Sequence, residues 1–292
     1  MTQPIRSDLE PRVQRPAPRP ARRRPLTGGS VPPPRPPSRW ILGMRVDATS
    51  YRDATDAIVS AAQAWRGGMV CVATVHMVME AFDDPGFQQL VNSADRVTAD
   101  GMPLVWLLRW LGVRQAERVY GPALTGVVCR RAEQLGIPVG FYGGSPEVLD
   151  ALVSSLRQRL PRLRVAFAHS PPFRPLTPEE DRRITERIRT SGARILFVGI
   201  GCPKQETWMA AHRDALPCAM VGVGAAFDFL AGAKPQAPAW MQGAGLEWLF
   251  RLLCEPRRLW RRYLIHNSRF LYQLARAAGS GSLRADPARG VS

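Results

Sequence analysis

Ile195-Leu-Phe-Val198 runs directly into Gly199-Ile-Gly-Cys-Pro-Lys-Gln-Glu206. The first four residues read as a strand buried on both faces of a parallel sheet. The glycine turn falls at that strand's carboxyl end, where open α/β sheets place their ligands. A dinucleotide fingerprint would continue G-x-G-x-x-G, but the third glycine position holds Lys204, just after Pro203. The backbone can therefore approach a ligand closely while Lys204, Gln205 and Glu206 project beside it. That combination points to a polar, phosphorylated substrate rather than to a dinucleotide.

Outward from this stretch, short apolar runs alternate with helical patterns. Strands are expected at 41–46, 70–74, 96–98, 139–142, 164–168, 195–198 and 219–223. Helices are expected at 51–65, 77–82, 87–94, around Trp106 to Trp110, and at 122–135, 146–160 and 178–190. The Thr177-Pro178-Glu179-Glu180 sequence is a start signal for the last of these. This alternation predicts an α/β fold: a Rossmann-like, mostly parallel sheet with helices on both faces. The expected organisation is a Pro/Arg-rich tail at 1–39, an α/β core at 40–245, a helical appendage at 246–278 and a short tail at 279–292.

The chain has 292 residues and a formal charge of +16. Residues 1–39 hold nine arginines against two acids, and residues 251–292 repeat that count, so each end carries +7 and the middle only +2. A nucleic-acid-binding enzyme would more often carry its basic patch on the fold. No nucleic-acid partner is expected, and a protein binding nucleic acid through its basic ends is the weaker rival. Eleven prolines and few apolar residues mark 1–39 as extended, disordered chain. It is either an inert tail or a basic leader touching anionic lipid, and it lacks the apolar region of a secretory signal. The five cysteines form no C-x-x-C pair, which fits a reduced cytosolic chain without structural zinc. No apolar run reaches the about 18 residues of a spanning helix. A membrane partner would be met at the surface.

Four strand ends gather polar residues: Thr74-Val75-His76, Asp100-Gly101, Tyr142-Gly143-Gly144-Ser145 and Gly199–Glu206. Asp100 is the sharpest candidate. A carboxylate there can accept a proton from a substrate hydroxyl, for about 10²–10⁴-fold in rate, or it can cap the helix beginning near Pro103. His76 is a base, a ligand or a packed core histidine. Lys204 neutralises phosphate or lies solvated, and Gln205 and Glu206 bind a sugar or cap a helix. Asp228, after the Gly222-Val-Gly224 pair, belongs to the site or to a turn. No D-x-D carboxylate pair is present to hold a metal-bound diphosphate. From about Arg257 a helix places Arg258, Arg261, Arg262, Arg269 and Arg276 on one side, and Leu259, Trp260, Tyr263, Leu264, Phe270, Leu271 and Leu274 on the other. Such a helix suits an anionic membrane surface, or it docks on the core with its arginines in water.

These motifs together resemble the WecG/TagA/CpsF glycosyltransferases, glycosyltransferase family 26. The resemblance runs through Thr74-x-His76, Asp100-Gly101, Arg118-Val119-x-Gly121, Phe141-Tyr-Gly-Gly144, Gly199-x-Gly201-x-Pro-Lys-Gln-Glu206 and Gly222-x-Gly224-x-x-Phe227-Asp228. It closes with Ala237-Pro238-x-Trp240, Gly245-Leu-Glu-Trp248-x-x-Arg251 and Glu255-Pro256-x-Arg258. It implies an inverting transferase that moves a hexose-type sugar from a UDP-sugar to a polyprenyl-diphosphate-linked sugar in cell-surface polysaccharide synthesis. It further implies work at the cytoplasmic face of the membrane, without a metal or other cofactor. Asp100 is then the general base. Thr74 and Gln205 match positions lining the sugar-nucleotide pocket, with Gly143, Gly201 and the neighbouring polar residues around them. Arg251, Arg258 and Arg261 match C-terminal arginines that close over the diphosphate. The chain departs from the family pattern at His76 (usually Asn), Ala123 (usually Asp) and Gln236 (usually Arg), which leaves the sugar open between N-acetylmannosamine, its uronic acid and a glucose-like hexose. Self-association into a homo-oligomer is also left open. An NAD-linked enzyme is a second rival, disfavoured by Lys204 and by the lack of a glycine-rich turn after the first strand.

Overall fold

The computed structural model describes residues 34–280, and of residues 258 and 262 only the backbone. The reading of 1–33 and 281–292 lies outside the described residues. The chain opens with β1 (Ser38–Ile41) and β2 (Met44–Asp47), then α1 (Tyr51–Gln63), β3 (Gly68–Ala73), α2 (Val75–Asp83), α3 (Pro85–Asn92), β4 (Arg96–Ala99), α4 (Met102–Trp110) and α5 (Gly121–Leu135). It continues with β5 (Val139–Gly143), α6 (Pro146–Arg159), β6 (Val165–His169), α7 (Pro178–Ser191), β7 (Ile195–Gly199), α8 (Lys204–His212) and β8 (Ala219–Gly222). Four helices close it: α9 (Ala226–Leu230), α10 (Ala239–Gly243), α11 (Glu247–Cys254) and α12 (Pro256–Gly279).

The eight strands form one sheet in the order β1-β2-β4-β3-β8-β7-β5-β6. All pairs are parallel except β1 with β2. The single strand expected at 41–46 is therefore a hairpin. Leu42 and Gly43 both take positive φ, 50° and 85°, and turn the chain inside the apolar run. An Ile-Leu-Gly-Met run carries no proline or Asn-Gly signal for such a turn, so apolar content alone read as one strand. The hairpin also moves Ser38 and Arg39, counted with the leader, into β1.

Alternation along the strands divides the core in two. Met69, Cys71 and Ala73 of β3, with Leu196 and Val198 of β7, face α2, α3, α4, α7 and α8. Val70 and Val72, with Ile195 and Phe197, face α1, α5, α6 and α9. Each valine, leucine, isoleucine, phenylalanine or methionine among them contributes about 1.5–3 kcal/mol on leaving water, before entropy is counted. The layers decide where a ligand can sit. From β7 the chain leaves through α8 on one face, and from the adjacent β5 it leaves through α6 on the other. A crevice opens between the carboxyl ends of strands whose connections diverge in this way.

Candidate functional site

Asp100 lies one residue past β4, its N–H donating to the carbonyl of Ala73 at 2.9 Å. It does not cap α4. The N-cap of that helix is Gly101, without a side-chain cap. The carboxylate turns instead to Arg118, whose Nη2 donates to Asp100 Oδ1 at 3.0 Å and to Glu247 Oε2 at 2.7 Å. Arg118 Nε also donates to the main-chain carbonyl of Asp100. All three side chains are nearly buried, at 16%, 17% and 11% exposure for Asp100, Arg118 and Glu247. Two carboxylates thus share one guanidinium. Burial, the larger influence, lifts the Asp100 carboxyl from 3.8 to about 6; Arg118 opposes the rise and Glu247 reinforces it.

A cavity of about 110 Å³ surrounds this cluster, walled by Thr74, His76, Asp100, Arg118, Glu247, Arg251, Tyr263 and His266 among others. Thr74 is the N-cap residue of α2, but its hydroxyl makes no cap bond, so it is available at the cavity wall. The roof comes from the C-terminal helices. Gly245 makes that approach possible, with φ of 73° and a position where any Cβ would fall 2.8 Å from the Trp106 ring.

The glycine turns form a second cluster, at the carboxyl ends of β5, β7 and β8. Gly143 has φ of 128°, and a Cβ there would lie 2.5 Å from the carbonyl of Gly199. The two turns are thereby pressed together. Gly201 and Gly224 also take positive φ, and a Cβ on either would meet only open space. Gln205 is buried and braces the cradle: its Oε1 accepts from the N–H of Gly224 at 3.0 Å while its Nε2 donates to Glu206 Oε1 at 2.7 Å. Glu206 is wholly buried. Lys204 is exposed at the start of α8.

The residues singled out from sequence therefore fall into separate places. Thr74, His76, Asp100 and Arg251 line one cavity. Gly143, Gly201, Gln205 and Glu206 belong to the neighbouring glycine cradle. Asp228 pairs with Lys234 at 3.5 Å, and Lys234 reaches Glu255 at 3.3 Å, tying α9 to the start of α12. Arg261 is exposed, its guanidinium 5.3 Å from the Trp260 ring centroid and not among the cavity residues. The Arg258 side chain lies outside the described residues. Sequence reading missed Glu247 and His266 as cavity residues and left Arg118 without a role. Arg118 and Glu247 stood inside recognisable motifs, but only the fold brings positions 129 residues apart into contact. His266 offered no signal beyond its place in an amphipathic helix.

A parallel sheet covered on both faces, with a nearly buried carboxylate at one strand end and a glycine cradle beside it, is the arrangement of an α/β ligand-binding enzyme. The match to known proteins narrows this class. The model of the glycosyl transferase WecG/TagA/CpsF family covers residues 39–283, and the chain belongs to that family. Membership makes it a glycosyltransferase of cell-surface polysaccharide synthesis, using in general a sugar-nucleotide donor and a lipid-linked acceptor.

Proposed function

We propose that the chain is an inverting hexosyltransferase that takes its sugar from a UDP-sugar and delivers it to a polyprenyl-diphosphate-linked sugar, with Asp100 as general base. The observation that carries this reading is the Asp100 carboxylate, held by Arg118 inside a cavity and lifted to about 6. Such a group is ionised at neutral pH yet close enough to it to accept a proton efficiently. Asp100 removes the proton of the acceptor hydroxyl as its oxygen attacks the anomeric carbon. The bond from that carbon to the diphosphate oxygen breaks, UDP leaves, and the configuration inverts. Arg251 on the cavity wall supplies charge for the departing diphosphate without a metal. The glycine cradle, with Gln205 buried beneath it, suits the nucleotide.

The acceptor's lipid also has a path. The Asp100 cavity shares Val75, Pro103, Trp248, Tyr263 and Asn267 with an apolar groove of about 580 Å³ between α4 and α12. Trp106, Trp110, Leu264 and Leu271 are exposed there. No helix among the described residues is long and apolar enough to cross a membrane. This groove and the arginines of α12 support a peripheral position on an anionic cytoplasmic membrane face. The departures at His76, Ala123 and Gln236 keep the sugar open among N-acetylmannosamine, its uronic acid and a glucose-like hexose.

UDP release from a panel of UDP-hexoses, with and without a short-chain polyprenyl-diphosphate sugar, tests the reading. One donor should give acceptor-dependent release. Asp100→Asn should lower turnover by about 10²–10⁴-fold while binding the donor as well as wild type. Equal turnover in the variant would remove Asp100 from the mechanism, and no release with any UDP-hexose would sink the donor assignment.

A further inference from the structure

We infer that His76, Glu80 and His266 form a binding site for one divalent cation of the zinc type, which clamps α12 onto α2. Nothing in this inference rests on the transferase reading. His76 and Glu80 are four residues apart in α2 and so project from the same face of the helix. Their ligand atoms, His76 Nδ1 and Glu80 Oε1, lie 3.5 Å apart. Two nitrogen or oxygen ligands at 2.0–2.1 Å from a tetrahedral ion are about 3.4 Å from one another. His266 comes from α12, with its ring centroid 4.8 Å from that of His76 and at 73° to it. One ligand atom from each of the three residues lies within 4.8 Å of the other two. Binding the ion requires the His266 ring to close the remaining gap from 4.8 Å.

The donor set is itself informative. Two imidazoles and one carboxylate are borderline-to-hard ligands of the kind that select zinc and its first-row neighbours over calcium or magnesium. Both histidines line the Asp100 cavity, which leaves room for water as a fourth ligand. The nearby carboxylate Asp83 is already engaged by Arg269 Nη1 at 2.8 Å, and does not compete for the ion. The location gives the ion a task. α12 buries only Leu259 and Phe270 among its apolar residues, so a cross-link from α2 would add a fixed point midway along it. It would also set how the appendage roofs the cavity. A site here departs from the expectation, drawn from cysteine spacing and from the family resemblance, that the chain holds no metal.

The test uses the full-length, tag-free protein stripped with EDTA, titrated with Zn²⁺ alone by calorimetry and with Co²⁺ alone by visible absorption. Wild type should bind one equivalent with micromolar or tighter affinity. Zn²⁺ should raise its thermal midpoint, and Co²⁺ should show the intense bands of a four- or five-coordinate ion. His266→Ala and the near-isosteric Glu80→Gln should each weaken binding by more than the about 10–100-fold that losing an outer hydrogen-bond partner of a metal ligand costs. Both should also abolish the thermal shift. The metal-free midpoint of Glu80→Gln shows whether that variant is folded. Absence of stoichiometric binding in wild type overturns the proposal and leaves a T-shaped histidine pair in its place. Unchanged binding in folded Glu80→Gln overturns it too, and assigns the ion to other groups such as Cys202.

Discussion

The α/β sheet and the C-terminal helices treat their apolar residues in opposite ways. In the sheet nearly every apolar side chain is buried, and even polar groups such as Asp47, Gln205 and Glu206 are taken inside and hydrogen-bonded. Along α10 to α12 many large apolar residues face outward, with Trp240 at 67%, Leu253 at 72% and Leu271 at 65% exposure. Of the apolar residues there, Leu259 and Phe270 are buried and Leu274 packs half-buried on the core; the polar contacts are Glu247 to Arg118, Lys234 to Glu255 and Arg269 to Asp83. The sheet carries the stability. The appendage leaves much of its apolar surface exposed, while still contributing Glu247 and Arg251 to the cavity.

The strongest way to break this comparison is to remove the appendage. Truncation after residue 245 should leave a folded sheet, because Phe270 is the one buried member of the two core clusters that it removes; with Leu259 the apolar loss is roughly 3–6 kcal/mol at about 1.5–3 kcal/mol each, beside the Glu247–Arg118 pair. Denaturant unfolding would measure that loss. Binding to anionic vesicles and activity on a lipid acceptor should both disappear. Vesicle binding that survives the truncation would place the membrane contact elsewhere.

Stability against pH tests the sheet's side of the contact. The Asp100 carboxyl is raised in the fold from 3.8 to about 6. Over that interval the folded state holds the proton more tightly than the unfolded chain. Asp100 therefore costs stability progressively as pH rises from about 4 to 6, to a limit of about 3 kcal/mol above it. Asp100→Asn should accordingly gain thermal stability relative to wild type at pH 7 and lose that advantage at pH 4. An advantage that does not change with pH would mean that the carboxyl is not perturbed.

Glu247→Gln sharpens the link between the two regions. With one negative charge removed, Arg118 serves Asp100 alone, and the acid limb of kcat/KM should move to lower pH than in wild type. A limb that stays in place would separate the appendage from the chemistry. The smallest effect is expected for Arg269→Ala. Its ion pair with Asp83 is exposed at 41% and 45%, and such pairs contribute about 0–1 kcal/mol. A larger loss in thermal unfolding would show that α12 leans on this contact more than the sheet's side suggests.

Much of the fold was legible because its signals are local. The Ile195–Val198 run, the glycines after β5, β7 and β8, and the Thr177 capping box each report on a few neighbouring residues, and the parallel sheet follows from their alternation. The β1–β2 turn was illegible because Leu42 adopts positive φ only under the tertiary fold, which no local residue choice announced. Within the site, Asp100 stood out by its place at a strand end. The choice between base and helix cap could not be made locally, since both use the same residue at the same position. It is the arrival of Arg118 that draws the carboxylate away from α4.

The sequence by itself determined the layered α/β architecture, the family, the basic ends and the amphipathic α12, because periodicity, turn chemistry and motif spacing are written in consecutive residues. Only the tertiary structure decided that Asp100, Arg118 and Glu247 share one buried charge network, that Asp228 belongs to an anchor at α12 and not to the Asp100 cavity, and that His76 meets His266. Those pairings span up to 190 residues of chain. They form because the sheet order and the docking of α12 bring distant strand ends and helix faces together, and burial then sets their charges.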